Sequence, residues 1–185
     1  MPNPVSKGCL KKKASNAPDM HRIYLGLGSN LGERAQNLDT ARKRIAAEVG
    51  PCIQASSLYA SAPWGIAEQP VFLNQVICVE SPLSARETLE TILRIERDMG
   101  RVRLEKWGQR LIDIDILFYD NDIVCEASLR IPHPFIPQRN FVLVPMAEIA
   151  PDFVHPESGK TMRQLLAESR DPLDVYPADE PTKSI

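Results

Sequence analysis

The sequence predicts an α+β fold with a ferredoxin-like β-α-β-β-α-β core, C-terminal additions and an antiparallel sheet that carries its helices on one face. Strand-like apolar runs alternate with two segments in which apolar residues recur at helical spacing. The two runs between those segments can pair as a hairpin because only one loop separates them. The chain has 185 residues, of which 43% are hydrophobic, so one domain with a sizeable core is expected.

The first half of this core consists of one β-α unit and the hairpin. Residues 22–28 form an apolar strand that runs into a turn, and the helix after the turn should stop at Gly50. Runs 53–59 and 72–79 are strand-like, and a loop at 61–70 with Pro and Gly separates them. The helix is indicated by apolar residues at helical spacing, which are Leu38, Ala41 and Ile45.

The second half contains the clearest helix signal in the chain. Ser84 and Glu87 form a capping-box pattern, and the helix that follows should end at Gly100. A basic loop comes next at 101–110, and the Ile-rich run 111–119 predicts the last strand of the core. One face of the helix carries apolar residues, which are Leu89, Ile92, Ile95 and Met99.

The C-terminal additions are shorter and contain more proline. The sequence predicts a short strand at 129–131, a proline-dense turn, a further strand at 141–144 and a late helix at 161–168. The composition of the two ends is typical of solvated chain. We therefore expect three parts: a disordered extension over 1–20, one domain over 21–170 and a loose tail over 171–185.

Charge and cysteine content exclude several classes of protein. The formal net charge is -2, so no global field favours nucleic acid. No apolar run approaches the roughly 20 residues that cross a bilayer. The four dispersed cysteines do not form a zinc pattern and indicate free thiols in a reducing compartment, so we expect a cytoplasmic protein. A monomer is the default expectation for the oligomeric state. For residues 1–20 a targeting segment is the alternative to a plain tail.

Two aspartates on the last core strand form the most informative pattern. Alternation along the strand sends Asp113 and Asp115 to one face, and Ile112, Ile114, Ile116 and Phe118 to the other. Carboxylates two residues apart on a strand lie roughly 6 to 7 Å from each other, which suits hard cations that also bind phosphate oxygens. The expected ion is Mg²⁺. A half-exposed strand with a polar outer face is the alternative interpretation.

Basic side chains gather just before these aspartates. A mobile loop of arginines can close over a polyphosphate, because a guanidinium matches phosphate oxygens bidentately. Trp107 is unusual in such a loop and suggests either a cover for a flat ring or packing onto the domain. The basic residues are Arg94, Arg97, Arg101, Arg103, Lys106 and Arg110.

A later loop adds polar and aromatic candidates. His133 lies between two prolines, and in a fixed loop its imidazole could donate to a phosphate, although a lone histidine is often structural. Arg139 is a second donor, and Phe141, on the predicted strand, offers a face for ring stacking.

With these residues assembled, the chain resembles the 6-hydroxymethyl-7,8-dihydropterin pyrophosphokinase family from Arg22 to about Leu166. The resemblance rests on motifs that occur in order. They are Gly28-Ser-Asn-Leu31, Ser57-Leu-Tyr59 before Pro63-Trp-Gly65, Phe72-Leu-Asn74, Glu96 to Gly100-Arg-Val-Arg103, Trp107-Gly-Gln-Arg110, Asp113-Ile-Asp115, and Pro132-His-Pro134 leading to Arg139-Asn-Phe141.

The resemblance implies a role for each site residue. Two Mg²⁺ ions that bridge ATP would be bound by Asp113 and Asp115. The catalytic set would be Arg101, Arg110, Asp113 and Asp115. Further ATP contacts would come from Glu96, Arg103, Trp107, Ile116, His133 and Arg139. The pterin site would be formed by Ser61, Ala62, Trp64, Phe72, Asn74, Asp113 and Phe141.

The implied reaction is in-line attack by the pterin hydroxymethyl oxygen on the β-phosphorus of ATP, which releases AMP in a step of folate biosynthesis. Positioning and charge neutralisation would supply the catalysis. A ferredoxin-like RNA-binding module is disfavoured because its ribonucleoprotein signature is absent and aspartates occupy the exposed strand face. A non-catalytic binding domain explains the fold but not the aspartates together with the arginine loop.

Overall fold

The computed structural model describes residues 19–63, 70–100 and 110–178. The strands are β1 (His21–Ser29), β2 (Cys52–Ala55), β3 (Tyr59–Ser61), β4 (Phe72–Ser81), β5 (Asp113–Tyr119), β6 (Val124–Glu126), β7 (Leu129–Ile131) and β8 (Val175–Pro177). The helices are α1 (Arg34–Glu48), α2 (Ala85–Asp98), α3 (Asn140–Ile149) and α4 (Met162–Glu168).

The main sheet has the strand order β5-β1-β4-β3-β8, and β2 also pairs with β4. Its pairs are antiparallel, with β1 in the centre between β4 and β5. Strands β6 and β7 form a separate two-stranded sheet. This order confirms the predicted ferredoxin-like core, because the first and last core strands are neighbours and the hairpin lies on the other side of β1.

Helices α1 and α2 cover one face of the sheet, as predicted. Their apolar stripes meet the inward residues of β1 and β4, and together they form the larger buried cluster. Gly50 follows α1, and a Cβ there would lie 2.0 Å from the carbonyl oxygen of Glu80 on β4, so only glycine permits this approach. Fully buried members of the cluster include Ile23, Leu25, Ala41, Ile45, Ile77, Ile92 and Ile95.

The C-terminal additions cover part of the opposite face. Helices α3 and α4 pack there on the other side chains of β1, β4 and β5, in a second buried cluster. Phe118 is fully buried in this cluster, and its ring lies 4.7 Å from that of Phe153. Fully buried residues of the two helices are Leu143, Met146 and Met162.

Three local predictions are wrong. The predicted strand 141–144 is the first part of α3, although Pro145 lies inside this helix and the preceding residues favour strands. The predicted strand 53–59 is two strands, β2 and β3, with a break between them. The alternation along 111–119 fails at Phe118, because a register shift leaves Leu117 without a partner on β1 and turns Phe118 to the second cluster.

The loose tail predicted from residue 171 is also wrong in part, since Val175–Pro177 forms β8. This strand pairs with β3, and the amide of Ala178 donates to the carbonyl of Leu58 at 2.9 Å. The late helix is confirmed as α4, with Thr161 as its N-cap in a capping box with Gln164. Within the described ranges, no helix has both the length and the apolar character needed to span a bilayer.

Candidate active site

One cavity lies on the sheet face beside α3, and many of the residues that the sequence singled out line it. Strands β1, β4 and β5 form its floor, the end of β3 forms one wall, and the start of α3 forms another. Its lining consists of Gly26, Leu27, Gly28, Ser61, Ala62, Phe72, Asn74, Gln75, Val76, Arg110, Asp113, Asp115, Leu117, Arg139, Phe141 and Val142.

A row of residues across three strands forms the floor. Gly28 on β1 pairs with Asn74 on β4 and with Asp113 on β5, and Gly26 pairs with Asp115 one row further along. A Cβ at Gly28 would lie 3.4 Å from Asn74 Oδ1, so a larger residue would close the space between the amide and the carboxylate. The floor is therefore open where its polar groups face one another.

The two aspartates share the cavity face, as the alternation of β5 predicts. Ile114 between them is buried on the opposite side with α1 and α2. The Arg110 guanidinium donates to Asp113 Oδ2, and both side chains are largely shielded from solvent, at 23% and 18% exposure. An arginine and two carboxylates thus meet in a partly desolvated place, where charge interactions are strong.

Glu96 and Ile116 do not line the cavity. Glu96 is 2% exposed on α2, and its Oε1 accepts a hydrogen bond from the amide of Ile114 at 2.7 Å. This bond holds β5 from its far side, between the two aspartates. Ile116 is 5% exposed within the core cluster. Their predicted contacts with ATP remain predictions.

The cavity also receives Arg139, which is 7% exposed. Its guanidinium carbon lies 4.8 Å from the ring centre of Phe135 and 5.5 Å from that of Phe141. Burial lowers the pKa of Arg139, while the carboxylates of Asp115 and Asp113 act against that decrease. The aspartates therefore help to keep a buried cation charged.

His133 lies beside this group as a neutral imidazole. Burial, and then the charge of Arg139, lower its pKa to about 4. The amide of Phe135 donates to His133 Nδ1 at 3.3 Å, which assigns the ring proton to Nε2. A neutral histidine in this tautomer has one N–H to donate.

An amide and two aromatic rings also line the cavity. Asn74 Nδ2 donates to Ser61 Oγ at 2.9 Å in a buried hydrogen bond, which leaves Oδ1 on the side of Gly28. Phe72 and Phe141 both line the cavity, from β4 and α3 respectively. The structure thus brings together a fixed amide and aromatic faces, the elements that recognise a flat polar heterocycle.

Two residues that hold the segments around the cavity were given no role from the sequence. Asn30 is 1% exposed, and its Oδ1 accepts a hydrogen bond from the backbone N–H of Arg110 at 2.8 Å. The backbone N–H of Asn30 donates in turn to the Arg110 carbonyl at 3.2 Å. Glu148 on α3 accepts from Ser57 Oγ and from Tyr59 Oη, each at 2.9 Å. In the sequence, Asn30 stood out only as part of the motif Gly28-Ser-Asn-Leu31, with no role assigned, and nothing local marked Glu148.

Several predicted site residues lie outside the described residues: Trp64, Arg101, Arg103 and Trp107. The helix that leads into the basic loop ends as expected, with Gly100 at a φ of +91°. In the described ranges no group of three or more His, Cys, Asp or Glu side chains is placed to bind a metal.

Comparison with known proteins gives a family match over most of the domain. The model of the 7,8-dihydro-6-hydroxymethylpterin-pyrophosphokinase family matches residues 24–151. The chain is 46% identical over 149 residues to the 2-amino-4-hydroxy-6-hydroxymethyldihydropteridine pyrophosphokinase of Methylorubrum extorquens, covering 80% of this chain and 93% of that one. It is 44% identical over 158 residues to the Synechocystis protein of the same name, covering 85% and 80%.

Solved structures support the fold. A Plasmodium falciparum HPPK-DHPS crystal structure with pteroate matches with a TM-score of 0.67 at 16% identity, covering 83% of this chain. The match spans 43% of that longer chain. At this identity the likeness concerns the fold alone.

Proposed function

The chain belongs to the 7,8-dihydro-6-hydroxymethylpterin-pyrophosphokinase family, and we propose that its cavity beside α3 is the active site. It is an ATP-dependent transferase of folate biosynthesis, which passes a diphosphate group to 6-hydroxymethyl-7,8-dihydropterin and releases AMP. The observation that carries the site assignment is the convergence of Asp113, Asp115, Arg110 and Arg139 on one cavity with Asn74 and two phenylalanines.

The pterin binds at the wall of Phe72, Asn74 and Phe141. A bicyclic pterin is flat and has a polar edge with both donors and acceptors. Two aromatic rings supply its faces, while Asn74, held by Ser61, presents its amide to the edge. Ser61 and Ala62 complete this wall, and the predicted contact of Trp64 is part of the same proposal.

The phosphates of ATP bind at the cationic side of the cavity. Arg110 and Arg139 reach it from two different elements, and His133 adds an N–H donor nearby. Guanidinium groups offset phosphate charge best where water is excluded, and Arg139 is almost completely buried. We keep Arg101, Arg103 and Trp107 as further contacts to ATP, on the family resemblance.

The donor set fits Mg²⁺. Asp113 and Asp115 are hard oxygen ligands on one face, and Mg²⁺ is commonly held by one or two carboxylates with substrate phosphates and water as the other ligands. When bound to these aspartates, two Mg²⁺ ions would supply neutralisation of the phosphate charge.

The protein's own residues then act by positioning. The aromatic wall fixes the pterin with its hydroxymethyl oxygen toward the phosphates, and the arginines hold the β-phosphate for in-line attack. The new bond joins that oxygen to the β-phosphorus, the hydroxyl proton is released to water, and the bond to the bridging oxygen of the α-phosphate breaks as AMP leaves. Arg110 and the predicted Arg101 offset the negative charge that develops on the bridging oxygen.

We also propose that the enzyme acts as a monomer, the oligomeric state expected from the sequence. Cys52, Cys78 and Cys125 are free thiols in the described structure, and this supports a cytoplasmic location.

The test is AMP release from ATP with Mg²⁺ and 6-hydroxymethyl-7,8-dihydropterin. Asp113→Asn and Asp115→Asn should each lower kcat/KM by about a hundredfold or more, because charge stabilisation at the phosphates is lost. Asp122→Asn is the matched control, since Asp122 is exposed just beyond the same strand. Its rate should equal that of the wild type.

Two results would contradict the proposal. Wild-type protein that is folded and binds ATP but releases no AMP with the pterin would exclude the reaction. Binding of a non-hydrolysable ATP analogue that is unchanged when Mg²⁺ is removed would exclude the assigned metal site.

A further inference from the structure

Helix α3 begins without a cap of its own. Its N-cap residue is Arg139, whose side chain makes no capping hydrogen bond to the helix. Ser, Thr, Asp and Asn are preferred at this position, because their short side chains accept from the first free amides of the helix. Arg139 cannot do so, and its guanidinium lies in the active-site cavity instead.

Asp171, which lies 31 residues after Asn140 in the chain, provides the missing cap. The Oδ2 atom of Asp171 accepts a hydrogen bond from the backbone N–H of Asn140, the first residue of α3, at 2.8 Å. The Asn140 side chain donates in return to the Asp171 carbonyl at 3.2 Å. A carboxylate at a helix N-terminus also interacts favourably with the helix dipole.

The segment around Asp171 is itself fixed at both sides. Asp171 Oδ1 accepts from the amide of Leu173 at 3.1 Å, and the Asp171 amide donates to Ser169 Oγ at 3.3 Å. A few residues later β8 pairs with β3, where Val175 is opposite Ser61 of the pterin wall. The same short segment therefore contacts both walls of the cavity, and it lies beyond the residues that the family model matches.

We propose that Asp171 is a positioning residue, which caps α3 in place of Arg139 and so allows the Arg139 guanidinium to serve the active site. The residues on either side of Asn140 are Arg139 and Phe141, and both line the cavity. Fixing the Asn140 amide therefore fixes the backbone from which a phosphate ligand and a pterin-stacking ring project. The assignment of ligands to these two residues rests on the proposed function.

The test compares KM and kcat among variants of the full chain. Asp171→Ala should raise the KM for ATP and for the pterin about fivefold or more, because the start of α3 is competent for only part of the time. Asp171→Asn keeps an oxygen acceptor for the Asn140 amide and should stay within about twofold of wild type. Both variants should change kcat less than KM.

Two matched controls separate positioning from a loss of stability. Asp174→Ala changes an exposed aspartate in the same segment and should behave as wild type. Ser84→Ala removes the capping box of α2, on the other face of the sheet, and should lower the Tm while both KM values stay unchanged.

A double-mutant cycle tests whether Asp171 acts through Arg139. In an Arg139→Ala background, the further change Asp171→Ala should leave the KM for ATP almost unchanged, because the residue through which Asp171 acts is gone.

The proposal is overturned if the KM values of Asp171→Ala match those of wild type, if Ser84→Ala raises them equally, or if Asp171→Asn is as defective as Asp171→Ala. Independent effects of the Arg139 and Asp171 substitutions would also overturn it. Wild-type protein without pyrophosphokinase activity would instead refute the proposed function, so the two failures are distinguishable.

Discussion

Helices α2 and α3 begin in opposite ways. Ser84 and Glu87 cap α2 from within its own first turn. The cap of α3 comes from Asp171, because Arg139 occupies the N-cap position and reaches into the cavity. The helix that mainly packs thus carries its own start signal, whereas the helix that lines the proposed active site is capped by a distant residue.

The two faces of the sheet repeat this contrast. The face under α1 and α2 is an apolar core whose spacing follows simple helix and strand periods. The face under α3 and α4 combines a second apolar cluster with Asp113, Asp115 and Arg139 in the adjoining cavity. On this face, Arg139 occupies an N-cap position where a short polar residue would be preferred. The hydrogen bond to Asp171, a residue distant in the chain, compensates for the missing cap.

The largest expected effect separates stability from activity. Ile45→Ala on α1 and Leu143→Ala on α3 each truncate a fully buried side chain, so each should lower the free energy of unfolding by about 2–5 kcal/mol. Only Leu143→Ala should also raise the KM for the pterin, because Leu143 supports the helix that carries Phe141. Urea unfolding and steady-state kinetics check the pair.

Equal pterin KM values in Ile45→Ala and Leu143→Ala would contradict the contrast between the two sheet faces. Helix α3 would then affect the proposed active site no more than α1 does. Kinetics should be measured well below the unfolding transition of each variant, so that both proteins are folded during the assay.

A smaller effect is expected at the aromatic wall. Phe141→Ala should raise the pterin Kd by about tenfold or more, through lost stacking and lost apolar contact, with little change in ATP binding. Tyr176→Ala is the control, because Tyr176 is a partly exposed aromatic residue on β8. Titration of pterin fluorescence gives both constants. Similar affinities for the two variants would remove Phe141 from the pterin site.

The smallest effect is a pH dependence on the α3 side. Burial lowers the pKa of His133 to about 4, from the 6.5 that the unfolded chain should show, and it lowers the pKa of His155 as well. Between the folded-state and unfolded-state pKa values of His133, the unfolded state binds more protons than the folded state. The free energy of unfolding should therefore rise as pH increases from about 4 to 6.5.

His133→Gln should flatten this rise, because glutamine does not titrate. Urea unfolding at several pH values between 4 and 7 gives the slope for each protein. An unchanged slope in the variant would show that His133 titrates alike in the folded and unfolded states.

Much of this structure could be predicted from the sequence because some of its signals depend only on neighbouring residues. The capping box placed the start of α2, the strand alternation placed Asp113 and Asp115 on one face, and Gly100 ended the helix region as expected. Each signal depends only on residues within one or two turns of the chain, where periodicity and capping chemistry are sufficient.

Other features were decided by contacts between distant segments. Residues 141–144 favour a strand by composition, yet they are helical because Asp171 caps them and the second cluster buries Leu143. The pairing of β8 with β3 and the hydrogen bond that Tyr59 Oη donates to Glu148 likewise join segments far apart in the chain. The sequence by itself therefore determined the ferredoxin-like core and predicted many of the residues that line the cavity. Tertiary structure decided how its walls are held, because each of those contacts requires a partner that only folding brings near.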